Sequence, residues 1–179
     1  EKELVDKLHI QATTDQLTGI YNRRVIFEAL DDAMDNSKQS KDRQFATIMF
    51  DIDFFKQVND NYGHAGGDAV LISFAQLLQA EISSPNIVGR IGGEEFLAIL
   101  YLDHDQAKEF CTKLIKKINN NVVNFEGTDI KVSSSGGVAF STETETSADL
   151  TNKADERLYE AKKDGRNRFK LIDSELVGD

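Results

Sequence analysis

These 179 residues read as an α/β domain, a mixed sheet covered by helices, and three observations carry that reading. First, Phe45-Ala46-Thr47-Ile48-Met49-Phe50 is an apolar run of the kind that forms a buried central strand, and it stops abruptly at Asp51-Ile52-Asp53. Second, residues 86–91 and 96–102 are two short apolar runs rich in β-branched and aromatic residues. They meet at Gly92-Gly93-Glu94-Glu95 as a hairpin would. Third, the stretches between these runs repeat apolar residues at helical spacing.

Residues 1–13 lack Gly and Pro and set Leu4, Leu8 and Ala12 on one face, predicting an amphipathic helix or the end of a coiled coil. Asn22 has the chemistry of an N-cap, and Val25, Phe27, Leu30 and Met34 give the helix after it an apolar stripe. The strand through Phe50 comes next. A short helix over about 54–61 and a long one over about 67–82 follow, and Pro85, the only proline, closes the second before the hairpin. The remaining expectations are a helix over 105–120, a strand over 130–140, a helix over 147–164 and a last strand over 167–172. The acid-, Ser- and Thr-rich stretch 141–147 is a loop that supplies an N-cap, and there is no internal repeat.

Composition narrows the chemistry. With 40% hydrophobic residues the chain has room for one well-buried core, so a single domain is expected. No stretch approaches the roughly 20 apolar residues of a membrane span, and none has the pattern expected of a signal peptide. The single cysteine, Cys111, excludes an internal disulfide, suits a cytoplasmic location and reads as core on an apolar helix face. A formal charge of −10 argues against nucleic acid as a partner. A protein this acidic that binds a nucleoside triphosphate must gather positive charge locally, from a divalent cation, a few Lys or Arg, and backbone N–H groups.

The acids are the candidate chemistry. Two adjacent carboxylates on a Gly-Gly turn can be a solvated hairpin tip, but a second acidic strand end at Asp51 makes an oxygen-rich corner suited to Mg²⁺. An EF-hand loop is set aside, because Lys56 stands where that loop requires Gly. Neither a Walker A pattern nor Gly-x-Gly-x-x-Gly is present, so phosphates are not cradled in those ways.

Five blocks, in order and spacing, resemble the GGDEF domain of diguanylate cyclases. They are Asp15-Gln16-Leu17-Thr18-Gly19-Ile20-Tyr21-Asn22-Arg23-Arg24, Asp51-Ile52-Asp53-Phe54-Phe55-Lys56-Gln57-Val58-Asn59-Asp60, Tyr62-Gly63-His64-Ala65-Gly66-Gly67-Asp68, Gly92-Gly93-Glu94-Glu95-Phe96 and Ala161-Lys162-Lys163-Asp164-Gly165-Arg166-Asn167. The resemblance covers about residues 15–171 and implies a mostly antiparallel central sheet related to the palm of nucleotide cyclases and polymerases. It divides the chain into a connecting helix (1–13), a catalytic domain (14–173) and a C-terminal tail (174–179). The chain does not start with Met, and the expectation is a piece of a longer protein with an upstream sensory domain, which carries any membrane anchor.

The resemblance also implies roles. Asp51, Glu94 and the carbonyl of Ile52 match the ligands of Mg²⁺, or of Mn²⁺ in its place. Glu95 matches a catalytic acid or base, or an aid to a second metal. Phe54 and Phe55 match backbone N–H donors to phosphate at a helix start, with the turn at Gly92 and Gly93 beside them. Lys56, Lys162 and Arg166 match phosphate contacts, and Asn59 and Asp68 match contacts to the guanine edge, whose donor pair suits an acceptor carboxylate. The activity implied is condensation of two GTP to cyclic di-GMP with release of pyrophosphate. That requires a homodimer meeting through its catalytic domains and aided by the N-terminal helix. The alternative is a GTP-binding regulatory module without turnover, which the intact acids disfavour. Where many such enzymes carry an inhibitory Arg-x-x-Asp, this chain reads Ser83-Ser84-Pro85-Asn86. His64 is expected to be buried and hydrogen-bonded, and Leu158 and Tyr159 to be core, while His9 and His104 fit no metal pattern.

Overall fold

The computed structural model describes residues 1–178. In chain order its main elements are α1 (Lys2–Thr13), α2 (Arg23–Ser37), β1 (Ala46–Ile52), α3 (Phe55–Glu81), β2 (Ile87–Gly92), β3 (Glu95–Leu100), α4 (His104–Asn120), β4 (Val123–Phe125), β5 (Thr128–Ile130), β6 (Ser134–Phe140), α5 (Ser147–Lys163), β7 (Arg168–Lys170) and β8 (Leu176–Gly178). Six strands form one sheet in the order β2-β3-β1-β6-β7-β8. Among the described residues, β6–β7 is the one parallel pairing between these six strands. The sheet is therefore mixed and mostly antiparallel, and helices cover both of its faces.

Every residue of β1 is buried. Side chains alternate across a strand, so Ala46, Ile48, Phe50 and Ile52 join one core while Phe45 and Met49 join the other. Two covered faces explain why the run shows no polar alternation. Helices α3 and α4 close the first face with Val70, Leu71, Phe74, Cys111 and Leu114, and α2 and α5 close the second with Ile26, Leu30, Met34, Leu150 and Leu158. In the first core Phe50 meets Phe169 edge-on at 5.5 Å and Phe74 meets Phe96 at 5.0 Å. Burial drives the Cys111 thiol well above its ordinary range, consistent with a core residue. Among the described residues no helix is long and apolar enough to cross a membrane.

Several details differ from the sequence reading. The two helices expected over 54–61 and 67–82 are one element with a single kink at Gly63 (φ 73°, ψ 175°). His64 begins the second segment and is exposed without a hydrogen bond among the described residues, because the kink turns it outward instead of into the core. Strand 130–140 is shortened to β6, and Val123–Ile130 makes its own hairpin, whose turn residues Glu126 (φ 49°) and Gly127 (φ 82°) have the paired positive φ of a tight β-turn. The α2 stripe centres on Ile26, and Val25 and Phe27 are half-buried at its margins. Leu158 is core as expected, but Tyr159 is 68% exposed, since the next position on α5 points away from the sheet. Residues 176–178, within the stretch read as a tail, pair with β7 as β8. Helix α1 buries none of its residues, leaving Leu4, Val5, Leu8 and Ile10 exposed.

Candidate active site

The C-terminal end of β1, the β2–β3 turn, the start of α3 and the end of α5 converge at one end of the sheet. Asp51 pairs in register with Glu95 across β1–β3, and the N–H of Ile52 donates to the carbonyl of Glu94 at 3.2 Å. The acids of the strand end and of the turn are thus fixed side by side by backbone pairing. Gly92 (φ 155°) and Gly93 (φ 46°) make the turn, and at Gly93 the left-handed backbone favours glycine. The Asp51 carboxylate is nearly buried and accepts from Nζ of Lys162 at 2.7 Å. Burial pushes its pKa up, with Glu94 and Asp53 nearby adding to the rise against the pull of Lys162. Glu95 is raised as well, by burial first, then by Asp51 and Asp155.

Adjacent in sequence, the two glutamates line different clefts. Glu94 lines one of about 320 Å³ with Asp51, Ile52, Phe54, Lys56 and Arg166. Glu95 lines another of about 620 Å³ along α5 with Asp155 and Tyr159, and Lys162 borders both. Successive residues at a strand start point to opposite faces, which separates them. No three His, Cys, Asp or Glu side chains converge as metal ligands among the described residues. What the smaller cleft offers is a carboxylate pair, which suits an ion such as Mg²⁺ that takes one or two carboxylates and fills its other positions with water and phosphate.

Asp53, two residues beyond Asp51, has a different task. It accepts from the hydroxyls of Ser133 (2.6 Å) and Ser135 (2.7 Å) and from the N–H of Asn167 (2.9 Å). Its oxygens are committed to tying β1 to β6 and to the turn after α5. That turn presents Arg166, whose guanidinium lies 3.9 Å from Asp53 and stacks over the Phe54 ring at 4.6 Å. Phe54 itself sits in the left-handed region (φ 55°) as the cap of α3, and with Phe55 and Lys56 at the start of that helix it lines the smaller cleft. Lys56 lines this cleft and makes no ion pair among the described residues.

A latch holds the Gly-Gly turn. Arg90 donates from Nε to the carbonyl of Gly93 (2.9 Å) and from its guanidinium to Asp15 (3.2 Å), which also accepts from the N–H and hydroxyl of Thr18. Burial works against the Asp15 charge, but the Thr18 and Arg90 contacts outweigh it and hold the carboxyl below its ordinary range. On α3, the Asn59 side chain occupies the space a β-carbon on Gly67 would need, which sets its amide against the backbone next to Asp68. Asn59 is half-buried and Asp68 exposed, on either side of the Gly63 kink.

Residues 12–168 match the family model described as diguanylate cyclase, GGDEF domain. The chain belongs to the GGDEF family. It is 34% identical over 170 residues to diguanylate cyclase DgcS of Shewanella oneidensis, covering 95% of this chain and 56% of that protein. To diguanylate cyclase A of Treponema denticola it is 33% identical, covering 92% of this chain and 45% of the relative. It therefore spans about half the length of these relatives. Among solved structures, diguanylate cyclase SiaD of Pseudomonas aeruginosa, crystallised with its activator SiaC, superposes with a TM-score of 0.87 at 32% identity, covering 96% of this chain and 66% of that one. The coiled coil and GGDEF domain of DgcB from Caulobacter crescentus, in complex with c-di-GMP, gives 0.85 at 26%, covering 96% and 91%.

In this GGDEF domain the structure brings Asp51, Ile52, Phe54, Phe55, Lys56, Glu94, Lys162 and Arg166 to one cleft. Glu95 stands in the neighbouring one, and Asn59 and Asp68 lie further along α3. Sequence reasoning missed Asp53, Arg90 and Asp155. Asp53 lay inside a recognised block and Arg90 just before another, and a polar residue beside an apolar strand was the available signal. Asp155 reaches the site only because α5 packs along β1 and β6.

Proposed function

We propose that this chain is the catalytic domain of a diguanylate cyclase, condensing two GTP into cyclic di-GMP and two pyrophosphates. The observation that carries the reading is the single cleft in which Asp51 and Glu94 face Lys56, Lys162, Arg166 and the start of α3. Carboxylates and cations together suit a metal–triphosphate complex better than either would alone. The residues fit Mg²⁺, or Mn²⁺ in its place, through Asp51, Glu94 and the Ile52 carbonyl. Bound there, the ion would neutralise charge on the transferring and leaving oxygens.

The protein's own groups do the rest. Lys56, Lys162, Arg166 and the N–H groups of Phe54 and Phe55 hold the phosphates, with Gly92 and Gly93 keeping the turn free of side chains. Asn59 and Asp68 accept from the guanine edge. A 3′-oxygen forms a bond to the α-phosphorus of the other nucleotide while the bond to the pyrophosphate bridging oxygen breaks. Glu95 takes the hydroxyl proton, a task for which a carboxyl held above its ordinary range is better matched than an exposed one. One domain holds groups for one GTP, so two must meet, and the exposed apolar residues of α1 offer a coiled-coil route to that meeting. Product inhibition through residues 83–86 is not expected, since Asn86 is occupied in accepting from the N–H of Tyr101 at 2.8 Å.

The test is incubation of the purified chain at high concentration with GTP and Mg²⁺ beside Glu94→Gln, with products identified by mass. Cyclic di-GMP from the parent alone is the expected result. GTP bound without product in either would instead assign a regulatory module.

A further inference from the structure

We propose that the cavity walled by Phe45, Leu102, Phe140 and Ile172, with Lys41 at its edge, is a binding site for a small aromatic anion. It lies at the opposite end of the sheet from the acids, and the proposal stands apart from the cyclase reading.

Position separates the two sites. Ala46, at the start of β1, pairs in register with Leu100 of β3 and with Phe140 of β6, and the cavity opens beside these three strand ends. Asp51 lies five residues further along β1. At roughly 3.4 Å per residue that is about 17 Å from Ala46, so one small molecule does not reach both.

Shape and lining say what enters. The cavity has a volume of about 440 Å³, inside the range of roughly 300–1,000 Å³ typical of small-molecule sites. Phe45 is 1% exposed and Phe140 8%, and each belongs to a different core, so the walls are core side chains and not a surface patch. The ring of His104 lies 5.6 Å from that of Phe140, while its Nε2 is 2.8 Å from Glu175. Three rings therefore line one opening, a setting that suits a flat aromatic group.

The polar groups at the wall are already satisfied. The Ser141 hydroxyl donates to Gln44 at 2.6 Å and accepts from the N–H of Phe45 at 3.0 Å, and the Gln44 amide donates to the carbonyl of Ser37 at 2.9 Å. They ask nothing of a ligand, which leaves this part of the cavity to its apolar portion. Asp103 accepts from the N–H of Gln106 at 2.9 Å as the cap of α4, where the helix dipole offsets its charge. Lys41 is exposed and has neither ion pair nor hydrogen bond among the described residues. An unpaired ammonium beside an aromatic-lined cavity selects a ring that carries an acid group.

Fluorescence titration of the full chain with 8-anilinonaphthalene-1-sulfonate tests this. Saturable binding of one probe per chain is expected, with amide shifts in NMR spectra gathered on Phe45, His104 and Thr142. Thr142 is exposed, and Thr142→Trp should weaken binding about ten-fold or more by filling the cavity. Lys41→Glu should weaken it about five-fold, the upper range for an exposed ion pair, while Lys116→Glu, the same charge change on an exposed residue away from the cavity, should not. N-phenyl-1-naphthylamine, the same rings without the sulfonate, should bind with no response to Lys41→Glu. Melting temperatures should match the parent, and α,β-methylene-GTP with Mg²⁺ should not displace the probe. Absence of saturable binding, shifts gathered on α1, displacement by the nucleotide, or equal binding in Thr142→Trp each overturns the proposal. So does equal weakening by Lys41→Glu and Lys116→Glu. Self-association that Thr142→Trp abolishes, without probe binding in the parent, would assign the cavity to a second copy and overturn it as well.

Discussion

Nζ of Lys162 sits 2.7 Å from Oδ2 of Asp51, closing a separation of 111 residues between the end of α5 and the end of β1. A nearly buried carboxylate beside two other acids needs a cation, and here the protein provides one that also borders both clefts. The pair sets the corner before substrate arrives, so a triphosphate meets oriented groups instead of mobile ones.

Replacing Asp51 separates activity from stability. Asp51→Asn should lower cyclic di-GMP formation by about 10²- to 10³-fold, the cost of losing one preorganised electrostatic contact. The fold should not suffer. The carboxyl's folded pKa is raised, so the stability it contributes is present at low pH and lost as pH rises through that value. At neutral pH the amide escapes this loss, and Lys162, partly exposed, can turn to water. Thermal melting at pH 7 should place the variant at or above the parent, and a clearly lower melting point contradicts the account.

Arg90 acts on the turn through geometry. Arg90→Lys keeps the charge but cannot reach the Gly93 carbonyl and Asp15 together with one ammonium. The expected loss is about 1.5–3 kcal/mol of stability, the range for hydrogen bonds to charged groups. Turnover should fall while GTP affinity changes less, because Arg90 touches the turn and not the nucleotide. Chemical denaturation and a kcat–KM comparison would read the two effects separately.

The Glu143–Arg157 pair offers a pH test away from the site. Glu143 accepts two guanidinium bonds, at 2.7 and 2.6 Å, and one from the N–H of Phe140 at 2.8 Å. Burial works against its charge, but these bonds prevail and hold the carboxyl below its ordinary range. A lowered folded pKa contributes stability above the unfolded value and loses it as pH falls through the folded one. Glu143→Gln should therefore cost about 1–3 kcal/mol at pH 7. The gap from the parent should close on acidification below about pH 4. Melting curves of both proteins across that range decide the matter, and a gap that persists at low pH points to packing instead of charge.

Asp68 is the proposed discriminator of the base. Asp68→Ala should weaken GTP binding by about 10- to 100-fold, as removal of a charged hydrogen-bond acceptor does, and leave ATP binding unchanged. Titration calorimetry with both nucleotides checks it; an equal loss for both would assign Asp68 to structure.

Much of this molecule follows from local pattern. The apolar run before Asp51, the helical stripe of α2, the Asn22 cap that accepts from Val25 at 3.1 Å and the hairpin around Gly92-Gly93 each depend on neighbours a few residues away. Periodicity reports which face of an element is buried, and cap and turn chemistry reports where it stops, so these elements are legible without partners. Tyr159 and His64 escaped for the complementary reason. An aromatic ring beside a helix stripe, or a histidine after a glycine, has no local mark that says whether the fold will cover it.

The residues alone dictate an α/β chain with acids at a central strand end and on a Gly-Gly turn, because hydrophobic spacing and turn chemistry are properties of short segments. Packing alone decides that Asp51 meets Lys162, that Asp53 spends its oxygens on Ser133, Ser135 and Asn167, that Arg90 reaches Asp15 across 75 residues, and that Glu94 and Glu95 open onto different clefts. Those partners are chosen by strand register and by how α5 crosses the sheet, and a one-residue slip in either would reassign them while leaving every local pattern intact.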